Sequence, residues 1–228
     1  MVVDSEYIPD GLPAYFFAKA DPINYNGRNK GEPGMKQRIL EAARDEIVER
    51  GLKFTMRDLA ERAGASSKTI YQCFASKEQI IQEIVTQSIV EMKHSEAAIM
   101  EDMKLSILEK LKKTLVNVPE WLMLSDLRLL KELQQKYPEQ WSEIDRHVTL
   151  GWGQIQRLIE QGVREGILRP FNLELFIQMY IGCLYQLMEE RRNRRAGQLP
   201  LEQVMDQMAE LLLYGITPKE GIVQGGKN

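Results

Sequence analysis

Three helix starts stand in a row between Thr55 and Gln79, and they leave this part of the chain little freedom. Thr55-Met-Arg-Asp58 sets a hydroxyl three residues before a carboxylate, close to the capping-box pattern, and Ser76-Lys-Glu-Gln79 fits the S-x-x-Q form outright. Between them Ser66 can cap the run Ser67–Phe74, once Gly64 has closed the helix begun at Thr55. Caps this close force short helices, and helices that short need neighbours to hold them. Ile39, Ala42, Ala43 and Ile47 form one apolar stripe over Met35–Arg50, ended by Gly51, and supply the helix to pack on. The third cap launches a long helix through Ile80, Ile84 and Val85 towards Met92 and Ile99. Its ~24 residues would reach ~36 Å at the helical rise.

The middle helix is divided in two. Residues three and four apart share a face, so Ile70, Cys73 and Phe74 point one way, able to anchor on Ile39, Ala43 and Leu59. Ser67, Lys68, Tyr71 and Gln72 point the other way, a row of hydrogen-bonding groups with one cation. A short helix held by its back and preceded by a helix and a Gly-containing turn matches the helix-turn-helix unit, whose second helix enters the DNA major groove. Lys68 can donate to guanine O6 and N7, and Gln72 can pair with adenine N6 and N7. Thr55, Thr69, Tyr71 and Lys77 suit phosphate oxygens, Lys77 lying in a helix first turn that already favours anions. The competing reading is a helical corner with a solvated polar face. Three ordered caps and a row unlike Glu/Lys surface filler weigh against it.

At these residues the chain resembles the DNA-binding domain of TetR-type transcriptional regulators. The resemblance runs through Ile39-Leu-Glu-Ala-Ala43, Gly51, Phe54-Thr55, Arg57-Asp-Leu-Ala60, Ala63-Gly64, Thr69-Ile-Tyr71, Phe74 and Ser76-Lys77. A looser likeness to the family's helical ligand domain lies in Gly162-Val-Arg-Glu-Gly166-Ile-Leu-Arg-Pro170 and the long helices after it. Two positions depart from the family pattern. Lys68 stands where a small residue is common, and Cys73 where an aromatic or His is common, so no DNA contact is carried onto Cys73.

The rest of the chain also reads as helical, giving an all-α fold. Pro119 opens a helix that Tyr137-Pro138 closes, Glu139 to Gly162 reads as another, and Gly162, Gly166 and Pro170 make a break. Leu173, Phe176, Ile177, Tyr180, Ile181, Leu184, Leu187 and Met188 then keep a three-four rhythm that Leu201, Val204, Met205, Met208, Leu211 and Leu212 repeat. The expected divisions are an irregular Pro- and Gly-containing arm over 1–34, a DNA-binding domain over 35–80, an effector-binding and dimerisation domain over 81–215, and a tail over 216–228. Arg28-Asn-Lys30 in the arm could reach a minor groove, although a self-packed arm is the simpler reading, and Arg191-Arg-Asn-Arg-Arg195 reads as a helix end.

Net charge is −3, but residues 35–80 hold nine Lys/Arg against seven Asp/Glu, so the positive excess falls on the helix-turn-helix. No basic start precedes an apolar run, and Cys73 and Cys183 with His94 and His147 form no metal-ligand spacing. A cytoplasmic protein without cofactor or metal is expected. No phosphate loop and no G-x-S-x-G occurs, and Gly151-Trp-Gly153 only echoes a glycine-rich turn, so an enzyme is not expected.

One recognition helix offers few contacts, and such units bind DNA as dimers. Leu175, Met179, Leu184, Met188, Val204, Met208 and Leu211 are the candidate dimer residues, with Leu213 also off the main stripe. The family resemblance implies the same: a four-helix bundle made by the last two helices of two copies. It further implies an inducer pocket, for which Trp121, Trp152, Gln154, Gln178 and Tyr180 are the candidate lining. His94 and His147 read as surface or supporting residues. Together these expectations describe a homodimeric repressor of a pseudo-palindromic operator, released by a small apolar effector. An activator of the same fold and a helical protein-interaction scaffold are the alternatives.

Overall fold

A computed structural model describes residues 34–123, 128–190 and 201–217. Among them every regular element is a helix. Helix α1 (Met35–Arg50) buries Ile39, Leu40, Ala42, Ala43 and Ile47, the expected stripe. A 3-10 turn at Gly51–Lys53 leads to α2 (Met56–Arg62), α3 (Ser67–Cys73) and the 25-residue α4 (Lys77–Glu101). Gly51 and Gly64 take φ of +65° and +59°, the left-handed backbone that a side chain resists, and so turn the chain sharply at the two corners.

All three predicted caps form. Thr55 Oγ1 accepts from Asp58 N–H while the Asp58 carboxylate accepts from Thr55 N–H, a complete capping box. Ser66 and Ser76 accept from the N–H groups of Thr69 and Gln79. The Gln79 side chain accepts from Ala75 N–H, at 2.7 Å, one residue earlier than the capping-box pattern. Ile39, Ala43, Leu59, Ile70, Phe74 and Ile80 are at most 1% exposed and belong to one apolar cluster. Each large side chain so buried contributes about 1.5–3 kcal/mol. A buried carboxylate, Glu46, sits between α1 and α2, accepting from Arg62 Nε at 2.5 Å and facing Arg50 at 3.5 Å. Its pairing makes this corner specific, because an unpaired charge there would be strongly destabilising.

Beyond α4 the chain forms α5 (Ile107–Leu115), α6 (Glu120–Met123), α7 (Arg128–Lys136), α8 (Pro138–Leu150), α9 (Gly153–Arg164), α10 (Leu173–Glu190) and α11 (Leu201–Ile216). Helix α4 packs on α1, α5 and α8, α5 on α9 and α11, and α7 on α8 and α10. The α5–α9 crossing is close: a Cβ on Gly162 would stand 2.8 Å from Leu168 Cδ1 and 3.2 Å from Ile107.

Two expectations change. The helix expected over 139–162 is two, broken at Gly151-Trp152, where Gly151 N–H still bonds His147 O at 3.0 Å but the Trp152 ring turns inward. Helix α5 was not expected at all, although Ser106 and Glu109 form a full capping box at its start. The helix expected from Pro119 to Tyr137 is described as α6 and α7, with 124–127 outside the described residues. So are the arm up to Pro33 with Arg28 and Lys30, the run 191–195, and residues 218–228. No described helix is long and apolar enough to cross a membrane.

Candidate nucleic-acid interface

Helix α3 is held from three sides. Its buried face, Ile70 with Phe74, is 0–1% exposed and lies in the cluster that includes Ile39, Ala43 and Leu59. Its start is fixed by Ser66, whose Oγ also pairs with Thr69 Oγ1 at 2.8 Å. Its end is fixed at Phe74, where the backbone turns extended (φ −140°, ψ 123°). The preceding turn is pinned by Arg38, whose Nη2 donates to Ala63 O at 2.9 Å. Arg62 ties α2 to α1 through Glu46 and Glu49, and both acids raise its pKa further above the usual arginine value, with the Glu49 hydrogen bond the larger cause.

Such fixing leaves one free face. Ser67, Lys68, Tyr71 and Gln72 are exposed, Tyr71 at 56%, and Thr69 is half-buried. An exposed tyrosine ring between a lysine and a glutamine on a rigid two-turn helix can reach base edges and phosphates without an ordering cost in the backbone. Cys73 is half-buried at the edge of this face.

Two of the expected phosphate contacts look different in place. Thr55 is exposed, but its hydroxyl donates to Asp58 Oδ2 at 2.7 Å while accepting from Asp58 N–H, so both its functions serve the cap. The bonds from Thr55 hold the Asp58 carboxyl below the usual aspartate value. Lys77 turns inward. Its Nζ donates to Leu52 O at 2.6 Å and to Phe54 O at 2.5 Å, and lies 4.0 Å from the centre of the Phe54 ring. Burial holds its pKa below the usual lysine value. The reason is local: α4 starts beside the 3-10 turn, whose carbonyls lack helical partners, and Lys77 is the nearest donor.

Helix α4 also walls a second site. A cavity of about 150 Å³ lies among α4, α5, α8, α9 and α10. Of the five residues named for an effector pocket, Trp121, Trp152 and Tyr180 line this cavity, whereas Gln154 and Gln178 are exposed and do not. Those two glutamines sit on the solvent sides of α9 and α10, whose apolar sides face inward. Sequence reasoning missed Met92, Glu96, Trp141 and His147 in the lining. The stripe Trp141, Ile144, Val148 and Trp152 on and after α8 carries the signal, and His147 rides beside it. Burial pushes His147 below the usual histidine pKa and Glu96 above the usual glutamate value.

The candidate dimer residues divide. Leu175 and Met179 are 53% and 54% exposed and Leu211 is 76% exposed, while Leu184 and Val204 are half-buried. Met208 and Leu213 are buried within the chain, because α11 turns Met205, Met208, Ala209 and Leu213 inward where it packs on α5 and α10. The Met188 side chain lies outside the described residues. Tyr214, 81% exposed one turn from Leu211, belongs to the outward face and was not anticipated.

Known proteins share this pattern. Residues 39–84 match the family model for bacterial regulatory proteins of the tetR family. The uncharacterized HTH-type transcriptional regulator YvaF of Bacillus subtilis is 32% identical over 186 residues, 82% of this chain and 97% of that protein. The HTH-type transcriptional repressor KstR2 of Mycolicibacterium smegmatis is 24% identical over 82% of this chain and 92% of its own length. In structure, the ketosteroid transcriptional regulator KstR2 of Mycobacterium tuberculosis superposes with a TM-score of 0.56 at 24% identity, covering 81% of this chain and 95% of that one, which shows a shared fold.

Proposed function

We infer the function from one premise: the chain belongs to the TetR family of bacterial regulatory proteins, and is a helix-turn-helix transcriptional regulator. On that footing, residues 35–80 form its DNA-binding domain, and residues 81–215 form a domain for effector binding and dimerisation. The protein acts in the cytoplasm as a homodimer that represses transcription from a pseudo-palindromic operator and leaves it when a small, largely apolar effector fills the α4–α10 cavity. The repressor reading is supported by the name of a relative, KstR2.

One observation carries the DNA contact: α3 is buried along Ile70 and Phe74 and bare along Ser67, Lys68, Tyr71 and Gln72. Lys68 reads guanine and Gln72 reads adenine, with Ser67, Thr69 and Tyr71 on flanking phosphates. Thr55 and Lys77 act from behind, holding the α2 start and the 3-10 turn against α4. Two copies meet through Leu175, Met179, Leu211 and Tyr214, setting two α3 helices about one DNA turn, 34–36 Å, apart.

Release follows from α4 serving both sites. Its first turn joins α3 through Phe74-Ala75, and further along the same helix Ser88, Met92 and Glu96 line the cavity. An effector that shifts α4 changes the spacing of the two α3 helices, and a coupling of ~1–3 kcal/mol would lower DNA affinity 5- to 150-fold. Selection from a pool of random DNA fragments at several salt concentrations tests this reading. Enrichment of one pseudo-palindrome is expected, and absence of selection at every salt would sink it. Gln72→Ala should then relax the choice at one base pair in each half-site, at a cost of ~1–3 kcal/mol.

A further inference from the structure

The cavity's polar groups are unevenly sorted. Four of its aromatic donors are engaged inside the chain: Trp121 Nε1 donates to Ser88 Oγ at 2.8 Å, Trp152 Nε1 to Val148 O at 2.9 Å, Tyr180 to Leu115 O at 2.6 Å, and Tyr185 to Asp145. Thr114 and Asn117 use their donors on the carbonyls of Lys110 and Met92, each at 2.8 Å. Among the described lining residues, the buried side-chain atom without a partner is an acceptor. Glu96 Oε1 is buried without a hydrogen-bond partner, and no Lys or Arg is among the described lining residues.

A buried carboxylate oxygen with no partner is unstable as an anion and is stabilised by any cation that reaches it. Burial accordingly lifts the Glu96 pKa, against the weaker pull of Lys93 and Arg157. The same cavity is lined by Trp121, Trp141, Trp152, Tyr180 and Tyr185, rings whose electron-rich faces attract a desolvated ammonium. Trp152 meets Tyr180 edge-on, with ring centres 5.2 Å apart, so the two present faces at right angles, as in a cage. A carboxylate ligand would find no cation here and a like charge at Glu96. The volume, about 150 Å³, is that of a cavity able to admit benzene, which limits an occupant to about one ring.

We propose that this cavity takes a compact apolar cation, a single-ring or short-chain amine whose ammonium pairs with Glu96 and lies against the tryptophan and tyrosine rings. The proposal rests on the reading of the cavity as the effector site and gives that site its ligand chemistry. Glu96 supplies the selectivity and the aromatic wall supplies the volume and the contact. Because Glu96 lies toward the C-terminal end of α4, the pairing acts directly on the helix that carries α3.

All three tryptophans of the chain line the cavity, so intrinsic fluorescence reports its filling. The full-length protein is titrated with 2-phenylethylammonium, phenylacetate and ethylbenzene, three probes of similar shape and different charge. The ammonium should bind at least about 10-fold more tightly than the other two, a ratio worth ~1.4 kcal/mol. Glu96→Gln should bring it down to the level of ethylbenzene. Phenylacetate binding as tightly as the ammonium, or no saturable ammonium binding, overturns the proposal on the natural chain alone, whether or not the variant folds. A folded Glu96→Gln protein that keeps the ammonium preference overturns it too. Adding 2-phenylethylammonium to the protein–DNA complex separates the two readings: Glu96-dependent binding that leaves the DNA bound keeps the ligand class and removes the effector role.

Discussion

The DNA-binding corner and the bundle behind it use similar residues under different rules. From Met35 to the first turns of α4, the turns and caps are written next to themselves: a hydroxyl three residues before the N–H it accepts from, and a glycine at each left-handed corner. Past α4, α5 still starts on its own Ser106–Glu109 box, but which faces are hidden depends on partners far along the chain. Trp152, at the break between α8 and α9, is buried with its ring in the cavity wall, and Met208 is hidden because α11 lies on α5. A rigid reading head and an adaptable, aromatic and Met-containing cavity are what the proposed ligand-controlled switch needs. The same helix, α4, belongs to both.

The strongest way to break this contrast lies on α11. Leu211 faces outward and Met208 inward, three residues apart. Leu211→Asp should leave each chain folded, turn dimers into monomers in analytical ultracentrifugation, and lower operator affinity by on the order of 100-fold, since each half-site then binds alone. Met208→Ala should instead cost about 2–5 kcal/mol of stability through a cavity in the core. If Leu211→Asp stays dimeric, the outward apolar strip of α10 and α11 is not the contact between copies.

A second test bears on the head. Lys77→Met removes the donor that ties Leu52 O and Phe54 O to α4 while keeping the apolar stem. Leaving buried carbonyls without a partner should cost ~1–3 kcal/mol in urea unfolding. The salt dependence of DNA binding should not change. A slope flattened by about one would mean that the ammonium reaches a phosphate after all.

These differences mark where the sequence was legible. Helices α1 to α4, their caps and the exposed row of α3 follow from spacing, because each signal acts within about four residues. The inward turn of Lys77 was not visible that way, since it depends on the carbonyls of a 3-10 turn 23 to 25 residues earlier. Helix α5 could have been read: Ile107, Leu111 and Leu115 recur every four residues behind the Ser106–Glu109 box. The cavity could be read only in part. Large aromatics such as Trp121, Trp152 and Tyr180 are costly to expose and find the interior, but Gln154 and Gln178 fall on whichever side the packing leaves to water. His147 and Glu96 are half-buried in a cavity built by several helices, which no local pattern announces.

That last pair gives the smallest and most local test of the sensor. Burial depresses the His147 pKa, so the folded chain holds this imidazole neutral where the unfolded chain would already bind a proton. The contribution to stability is complete above the unfolded value, about 6.5. It is lost progressively as pH falls from there through the depressed folded value, with a slope of at most about 1.4 kcal/mol per pH unit. Glu96 has the opposite sign: its raised pKa lets the folded state keep a proton that the unfolded state releases, so its contribution fades as pH rises through the folded value. The His147 signal is isolated by the variant that removes only it. His147→Gln should flatten the fall in urea midpoint below pH 6.5 relative to the unaltered protein, whereas Glu96→Gln should steepen it wherever the two windows overlap. Identical midpoint curves for His147→Gln and the unaltered chain would mean that the imidazole titrates alike in both states, and that the cavity wall at α8 is open to water.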